Sequence, residues 1–304
     1  MQKKVVIIGS NGLLGQSLVN RLHKDTSYKV YAMASGANRN STVSDLNYLE
    51  LSLSDISSLK IQLNLIEPDF IINAIAMTNV DACEVEQKAC YDVNVRFVKD
   101  LAIITQELKA FLIHISTDFI FDGNGSGMYK ETDKANPVNY YGLSKVKSEK
   151  VVIDNCTDYS ILRTILVYGK VANMKRSNIV LWVKNALEKK EALTIVNDQY
   201  RMPTFVGSIV EACILTMEKR ATGIYHISGN ELLSIYEIAL QVAAYYKLDK
   251  SLIRAIDSTE LNQRAKRPAK TGFALDLAIK KLGFKPLSLH EGLDRMNLKK
   301  MNID

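Results

Sequence analysis

A glycine-rich turn set directly behind a short apolar run constrains this chain more than any other feature. Val5-Val6-Ile7-Ile8 leads into Gly9-Ser10-Asn11-Gly12-Leu13-Leu14-Gly15, and an amphipathic stretch over residues 13–23 follows. Glycines at these spacings serve a tight strand-to-helix turn, a close approach of backbone to pyrophosphate, and close helix–strand packing. A diphosphate seated there meets free N–H groups at the positive end of the helix. The run therefore predicts a dinucleotide site that uses Gly9, Asn11, Gly12, Leu13, Leu14 and Gly15.

The rhythm beyond the turn agrees. Short apolar runs over residues 29–34, 70–76, 111–115 and 161–167 alternate with helical patterns over 13–23, 57–66 and 89–108. Strands of this length separated by helices build βαβ units, and unbroken apolar strands are buried on both faces. The expected fold class is α/β, a Rossmann-type doubly wound parallel sheet with a smaller, mostly helical portion. Residues 1–168 read as the dinucleotide-binding domain and 169–304 as a smaller substrate-binding domain. In the latter, residues 177–190, 206–219 and 234–246 are predicted helices, and 193–196 and 223–228 predicted strands. Segment 223–228 is free to return to the main sheet. Trp182 reads as core packing of its helix, and 297–304 as a frayed tail.

Composition excludes several classes of function. With 47% hydrophobic and 24% charged residues in 304, the chain is neither disordered nor fibrous. The net charge of +6 comes from scattered Lys and Arg, which suits a small anionic ligand and gives no footprint for nucleic acid. Cys83, Cys90, Cys156 and Cys213 form no CxxC pair and no metal-ligand spacing, so they read as reduced thiols in a cytoplasmic protein. No apolar run approaches the ~18 residues of a membrane span, and the N-terminal run is too short for a signal peptide.

Two further segments carry chemistry. Ser116-Thr117-Asp118-Phe119 closes the 111–115 strand, at the edge where open α/β sheets bind ligands. Tyr141 and Lys145 stand four apart on one helix face. A free tyrosine titrates near ~10, and a neighbouring ammonium is expected to draw it toward the working range. On the nucleotide side, the second strand ends Ala34-Ser35-Gly36-Ala37-Asn38-Arg39 with no acidic residue for a ribose hydroxyl. Ser35 and Arg39 suit a 2′-phosphate instead, which favours NADPH, with NADH as the second choice.

Taken in series, GSNGLLGQ, IINAIAMTNVDACE, HISTDFIFDG, PVNYYGLSK, NDQYRMPT, GIYHISG and RPAKTGFALD make the chain resemble the extended short-chain dehydrogenase/reductases. Within that family it is similar to the rhamnose-forming 4-ketoreductases of nucleotide sugars, and the likeness spans nearly the whole chain. The resemblance implies a catalytic set of Thr117, Tyr141 and Lys145, with Tyr141 and Lys145 also touching cofactor. It adds Leu53, Ala74 and Ala76 to the cofactor site. It places Thr117, Asp118, Phe119, Tyr141, Arg201 and Arg267 toward a nucleotide-sugar substrate, and it allows a homodimer. The implied reaction is hydride reduction of a 4-keto group, in a deoxysugar route feeding surface polysaccharide.

Alternatives remain at several positions. Asp118 reads as substrate-positioning or as a turn cap. The cluster Arg264, Lys266, Arg267 and Lys270 reads as a diphosphate clamp or as a solvated loop. His114 and His226, inside apolar runs, read as structural. Related dehydratases carry Thr-Asp-Glu where this chain has Thr117-Asp118-Phe119, and losing that carboxylate favours reduction over elimination. Leu166 stands where the reductases place an indole, Arg201-Met202 where they place small residues, and Ser52-Leu53 where they place an acid and an apolar residue. Two other functions share the fold: a sugar-nucleotide epimerase, and a non-catalytic subunit resembling the regulatory subunit of methionine adenosyltransferase.

Overall fold

The computed structural model describes residues 2–43, 47–125, 128–174 and 176–298. The first part runs β1 (Lys3–Ile8), α1 (Leu13–Leu22), β2 (Tyr28–Ala34), β3 (Asn47–Glu50), α2 (Ile56–Ile66), β4 (Phe70–Asn73), α3 (Val80–Val85), α4 (Gln87–Tyr91), α5 (Phe97–Glu107) and β5 (Phe111–Thr117). Next come β6 (Met128–Tyr129), α6 (Tyr140–Asn155), β7 (Tyr159–Thr164) and β8 (Val167–Tyr168). The remainder includes α7 (Ile179–Glu188), β9 (Leu193–Val196), β10 (Tyr200–Arg201), β11 (Thr204–Phe205), α8 (Val206–Lys219) and β12 (Gly223–Ile227).

Seven strands form one parallel sheet in the order β12-β7-β5-β4-β1-β2-β3. The chain leaves β1 in one direction for β2 and returns on the other side for β4, which makes the doubly wound Rossmann arrangement and its ligand crevice at the switch point. The period-two alternation of β1 divides the core. Val5 and Ile7 pack with Leu18 and Leu22 of α1 and Ile209 and Cys213 of α8. Val6 and Ile8 face the other way, onto Leu59 and Leu63 of α2 and Leu101 of α5. Helices on both faces bury β4, β5, β7 and the end of β1 almost entirely, which is why these strands carry apolar runs.

Residues 223–227 join the edge of the main sheet beside β7, and α8 packs across α1, so the chain re-enters the sheet layer well after Tyr168. A separate cluster built from Val183 and Leu187 of α7, Ile195 of β9 and the 235–245 helix forms the smaller portion. No helix among the described residues is long and apolar enough to cross a membrane.

Four local features depart from the sequence reading. The helix expected over 89–108 is instead α4, a π-helical turn over Asp92–Arg96, and then α5. That turn swings Asn94 inward, and such turns concentrate at functional sites. Strand β3 was not legible, because Asn47-Tyr48-Leu49-Glu50 is an edge strand without an apolar run. Trp182 is 43% exposed rather than packed in the core, which is built by Val180, Val183 and Leu187 on the other side of α7. Asn297 and Leu298 end a final helix, Leu289–Leu298, rather than a frayed tail, and residues 299–304 fall outside the described residues.

Candidate active site

The glycine turn is shaped by contacts that a side chain would destroy. Gly9 has φ +90°, and a Cβ there would lie 2.9 Å from Ile75 Cγ1 and 3.0 Å from the Ala74 carbonyl carbon. A Cβ on Gly15 would lie 2.2 Å from the Gly9 carbonyl oxygen, so α1 approaches the turn as closely as only glycine permits. Gly12 differs. The nearest atom to its free side is the Gly9 oxygen at 3.4 Å, and its residue is exposed. The first turn of α1 has no side-chain cap, and the buried Ser10 hydroxyl and Gln16 Oε1 have no partner among the described residues. An open Gly12, uncapped N–H groups and an orphaned hydroxyl fit a diphosphate laid across the turn. Leu13 and Leu14, at the start of α1, are half-buried, as are Ala74 and Ala76 beyond β4 and Leu53 beside the α2 face.

Asn11 is a strut for the loop after β2. Its amide nitrogen donates to the Ser35 and Ala37 carbonyls at 3.2 and 3.0 Å, and its oxygen accepts from the Arg39 N–H at 2.9 Å. Ser35 is exposed and Arg39 half-buried on this loop. The structure adds a residue that the sequence reading missed. Glu50, at the end of β3, accepts from the Gly36 N–H at 3.2 Å and brings a carboxylate to the same loop. Its signal was hidden because β3 itself was not recognised.

At the C-terminal end of β5, Thr117 meets the start of α6. Asn139 caps that helix by accepting from the Gly142 N–H at 2.8 Å, and its amide also donates to the Lys266 carbonyl at 2.8 Å. Gly142 lets the helix sit on the turn after β5, because a Cβ there would lie 2.1 Å from the Phe119 oxygen. Asn94, from the π turn, accepts from the Met77 N–H at 2.8 Å and donates to the Ser144 hydroxyl at 2.9 Å. It thereby ties the loop after β4 to α6.

Tyr141 is 8% exposed, packed with Cys83, Cys90 and Met77, and meets Phe119 edge-on at 5.8 Å between ring centres. Burial pushes its phenol above the ordinary range, while a hydrogen bond with Thr117 draws it back and the Asp118 carboxylate pushes it further up. Lys145 is also buried, which pushes its ammonium down to about 8 against the pull of Glu149 and Cys90. Its head group is turned to His114 Nε2 at 3.1 Å and to the Ile115 carbonyl at 2.8 Å. The expected lowering of the phenol by the lysine is thus corrected here. Desolvation decides the direction, and the phenol is a protonated donor at neutral pH. His114 and His226 are both fully buried, and burial keeps both imidazoles neutral.

Asp118 is 2% exposed and wholly occupied by protein. It accepts from the Thr117 hydroxyl at 3.1 Å and from the Thr271 hydroxyl, and pairs with Arg201 Nε at 3.6 Å. Arg201 is turned inward at 3% exposure, donating to the Pro268 and Tyr200 carbonyls, both at 2.7 Å, and lying over the Phe119 ring. Arg267 grips Asp81 with both terminal nitrogens, at 3.1 and 2.6 Å. Thr117, Asp118, Phe119, Tyr141 and Arg201 therefore form one contiguous group, while Arg267 closes the chain's 264–270 segment against α3.

Comparisons with known proteins bear on the family and the fold. The profile of the RmlD substrate binding domain family matches residues 3–302. The chain is 32% identical over 294 residues to a dTDP-4-dehydrorhamnose reductase of Aggregatibacter actinomycetemcomitans, covering 93% of this chain and 94% of that protein. It is 29% identical over 290 residues to the spore coat polysaccharide biosynthesis protein SpsK of Bacillus subtilis, covering 95% of each. The crystal structure of dTDP-4-dehydrorhamnose reductase from Bacillus anthracis in complex with NADP superposes with a TM-score of 0.86 at 28% identity, over 98% of this chain and all of that one.

Proposed function

The chain belongs to the RmlD substrate binding domain family, and we propose that it is an NADPH-dependent reductase of a nucleotide-activated 4-ketosugar. The observation that carries this reading is the buried Tyr141 phenol beside Thr117, at the same C-terminal end of the parallel sheet as the open glycine turn. Reduction builds negative charge on one ketone oxygen, and preplaced donors lower that barrier. The glycine turn and the uncapped start of α1 would hold NADPH, which would supply the hydride. Tyr141 gives its proton to the oxygen as charge develops, and the Thr117 hydroxyl turns to the same atom. Lys145, held by the Ile115 carbonyl and His114 one helical turn beyond Tyr141, would offer its remaining protons to a ribose. Phe119 contributes an apolar wall and no acid, which leaves no group at that position to expel water.

The relatives' names support a dTDP-linked 4-keto-6-deoxysugar as substrate and polysaccharide synthesis as the destination. The four unpaired cysteines fit a reducing, cytoplasmic setting. We assign residues 1–168 mainly to cofactor and later segments to the substrate side, with α8 and β12 lent back to the sheet. The testing assay supplies purified protein with NADPH and a panel of nucleotide-linked ketosugars. One NADPH should be consumed per 4-ketosugar reduced, and none without it. A protein that retains its nicotinamide and interconverts sugars without net NADPH loss would instead be an epimerase.

Arg39 gives an independent check on the cofactor. A charge-assisted hydrogen bond contributes ~1.5–3 kcal/mol, so Arg39→Ala should weaken NADPH binding by about tenfold or more. NADH binding should change little, since Glu50 already places a carboxylate on this loop. Equal losses for both nucleotides, measured by fluorescence titration, would show that Arg39 does not read the phosphate.

A further inference from the structure

The family resemblance places Arg201 toward the substrate, yet every polar contact of its guanidinium is internal. It donates to the Tyr200, Pro268 and Ala269 carbonyls and pairs with Asp118, at 3% exposure. Burying a guanidinium and a carboxylate is costly, and a buried pair adds little stability over apolar replacements. Its placement, however, bears directly on the reaction. Thr117 has one hydroxyl proton, and in this structure it goes to Asp118 Oδ1. A ketone oxygen gaining charge must compete with that carboxylate for the same proton. The other carboxylate oxygen, Oδ2, carries both Arg201 and the Thr271 hydroxyl, and these two make Asp118 a weaker acceptor.

We propose that Arg201 is a positioning residue that neutralises Asp118 and so releases the Thr117 hydroxyl, and with it the Tyr141 phenol, to serve the substrate oxygen. The pair spans the molecule, joining β10 and the 268–271 segment to the end of β5. The arginine also rests on Phe119, whose ring meets Tyr141, so the same side chain fixes the wall on which the phenol leans. Three charged or titratable groups bear on the pair, namely Tyr141, Arg267 and Asp81. Tyr141 feels the Asp118 charge, Asp118 feels Arg201, and Arg201 feels Asp118 and Arg267, the last itself held by Asp81.

The inference rests on the reductase reading, and the test separates the two. Wild type, Arg201→Leu and the double variant Arg201→Leu/Asp118→Asn are assayed with NADPH and the ketosugar nucleotide that wild type accepts. Arg201→Leu should lose about tenfold or more in kcat with KM nearly unchanged, and the double variant should recover most of that loss. A second readout needs no turnover. Asp118 is already pushed upward by burial, and removing Arg201 pushes it further. A carboxyl raised in the folded state stabilises below its unfolded value, and that stability is lost as pH climbs toward the folded value. The melting temperature of Arg201→Leu should therefore rise more steeply than wild type as pH falls from 8 to 5, and Asp118→Asn should abolish the difference. A raised KM with unchanged kcat would make Arg201 a substrate ligand and overturn the proposal. So would a double variant no better than the single one, or melting curves without the extra pH slope. Absence of reduction by wild type would overturn the reductase reading instead, leaving the melting curves to judge the pair.

Discussion

Tyr141→Phe is expected to lower kcat by about 10²- to 10⁴-fold, the usual contribution of a positioned proton donor. NADPH affinity should stay near that of wild type. The substitution keeps the ring, its edge-on contact with Phe119 and its packing against Cys83 and Cys90, so the fold loses only a hydroxyl. It removes the one phenol that burial holds protonated beside Thr117. Without it the developing oxyanion meets a single hydroxyl, whose proton is already shared with Asp118. Absorbance assays give kcat, and fluorescence titration gives the nucleotide affinity. Unchanged turnover would remove Tyr141 from the mechanism, and a matching loss of NADPH binding would make it a structural residue.

The second large effect separates two glycines of one turn. Gly15→Ala places a methyl 2.2 Å from the Gly9 carbonyl oxygen, in backbone that has nowhere to move. Overpacking of this kind costs about 1–3 kcal/mol, so the melting temperature should fall and NADPH binding should be lost with it. Gly12→Ala meets the same oxygen at 3.4 Å, an ordinary contact, and should fold normally. Its methyl instead occupies the open side of the turn, so NADPH binding should fall by about tenfold or more with stability retained. Thermal melts and titrations of both variants check the contrast. If Gly12→Ala bound NADPH as well as wild type, the diphosphate would not cross the turn at that point.

Much of the fold was readable because its determinants are local. The unbroken apolar run Val5–Ile8, the glycine spacing and the four-residue step from Tyr141 to Lys145 each depend on neighbours in sequence. What escaped depends on distant neighbours. Strand β3 is polar because it is an edge, so it carried no apolar signal, and Glu50 went unnoticed with it. The π turn needs one extra residue to carry Asn94 to Ser144 and Met77, contacts that no helical pattern announces. An arginine in a loop looks like a ligand for anions. Only the fold shows that carbonyls of the 268–269 segment and the Asp118 carboxylate surround Arg201. Tyr141 and Lys145 do share α6, but the expected pull of the lysine on the phenol is not what shifts it. Sequence spacing gives proximity and says nothing of the desolvation that shifts both groups in opposite directions.

The central claim is that a hydride passes to a sugar carbonyl at this site while Tyr141 supplies the proton. Turnover with NADPH carrying deuterium at the transferable C4 position tests it most directly, with the product read by mass and NMR. One deuterium bound to carbon 4 of the sugar for each NADPH oxidised is the expected result, in wild type and in whatever residual product Tyr141→Phe makes. A product without deuterium, or deuterium at another carbon, would contradict it.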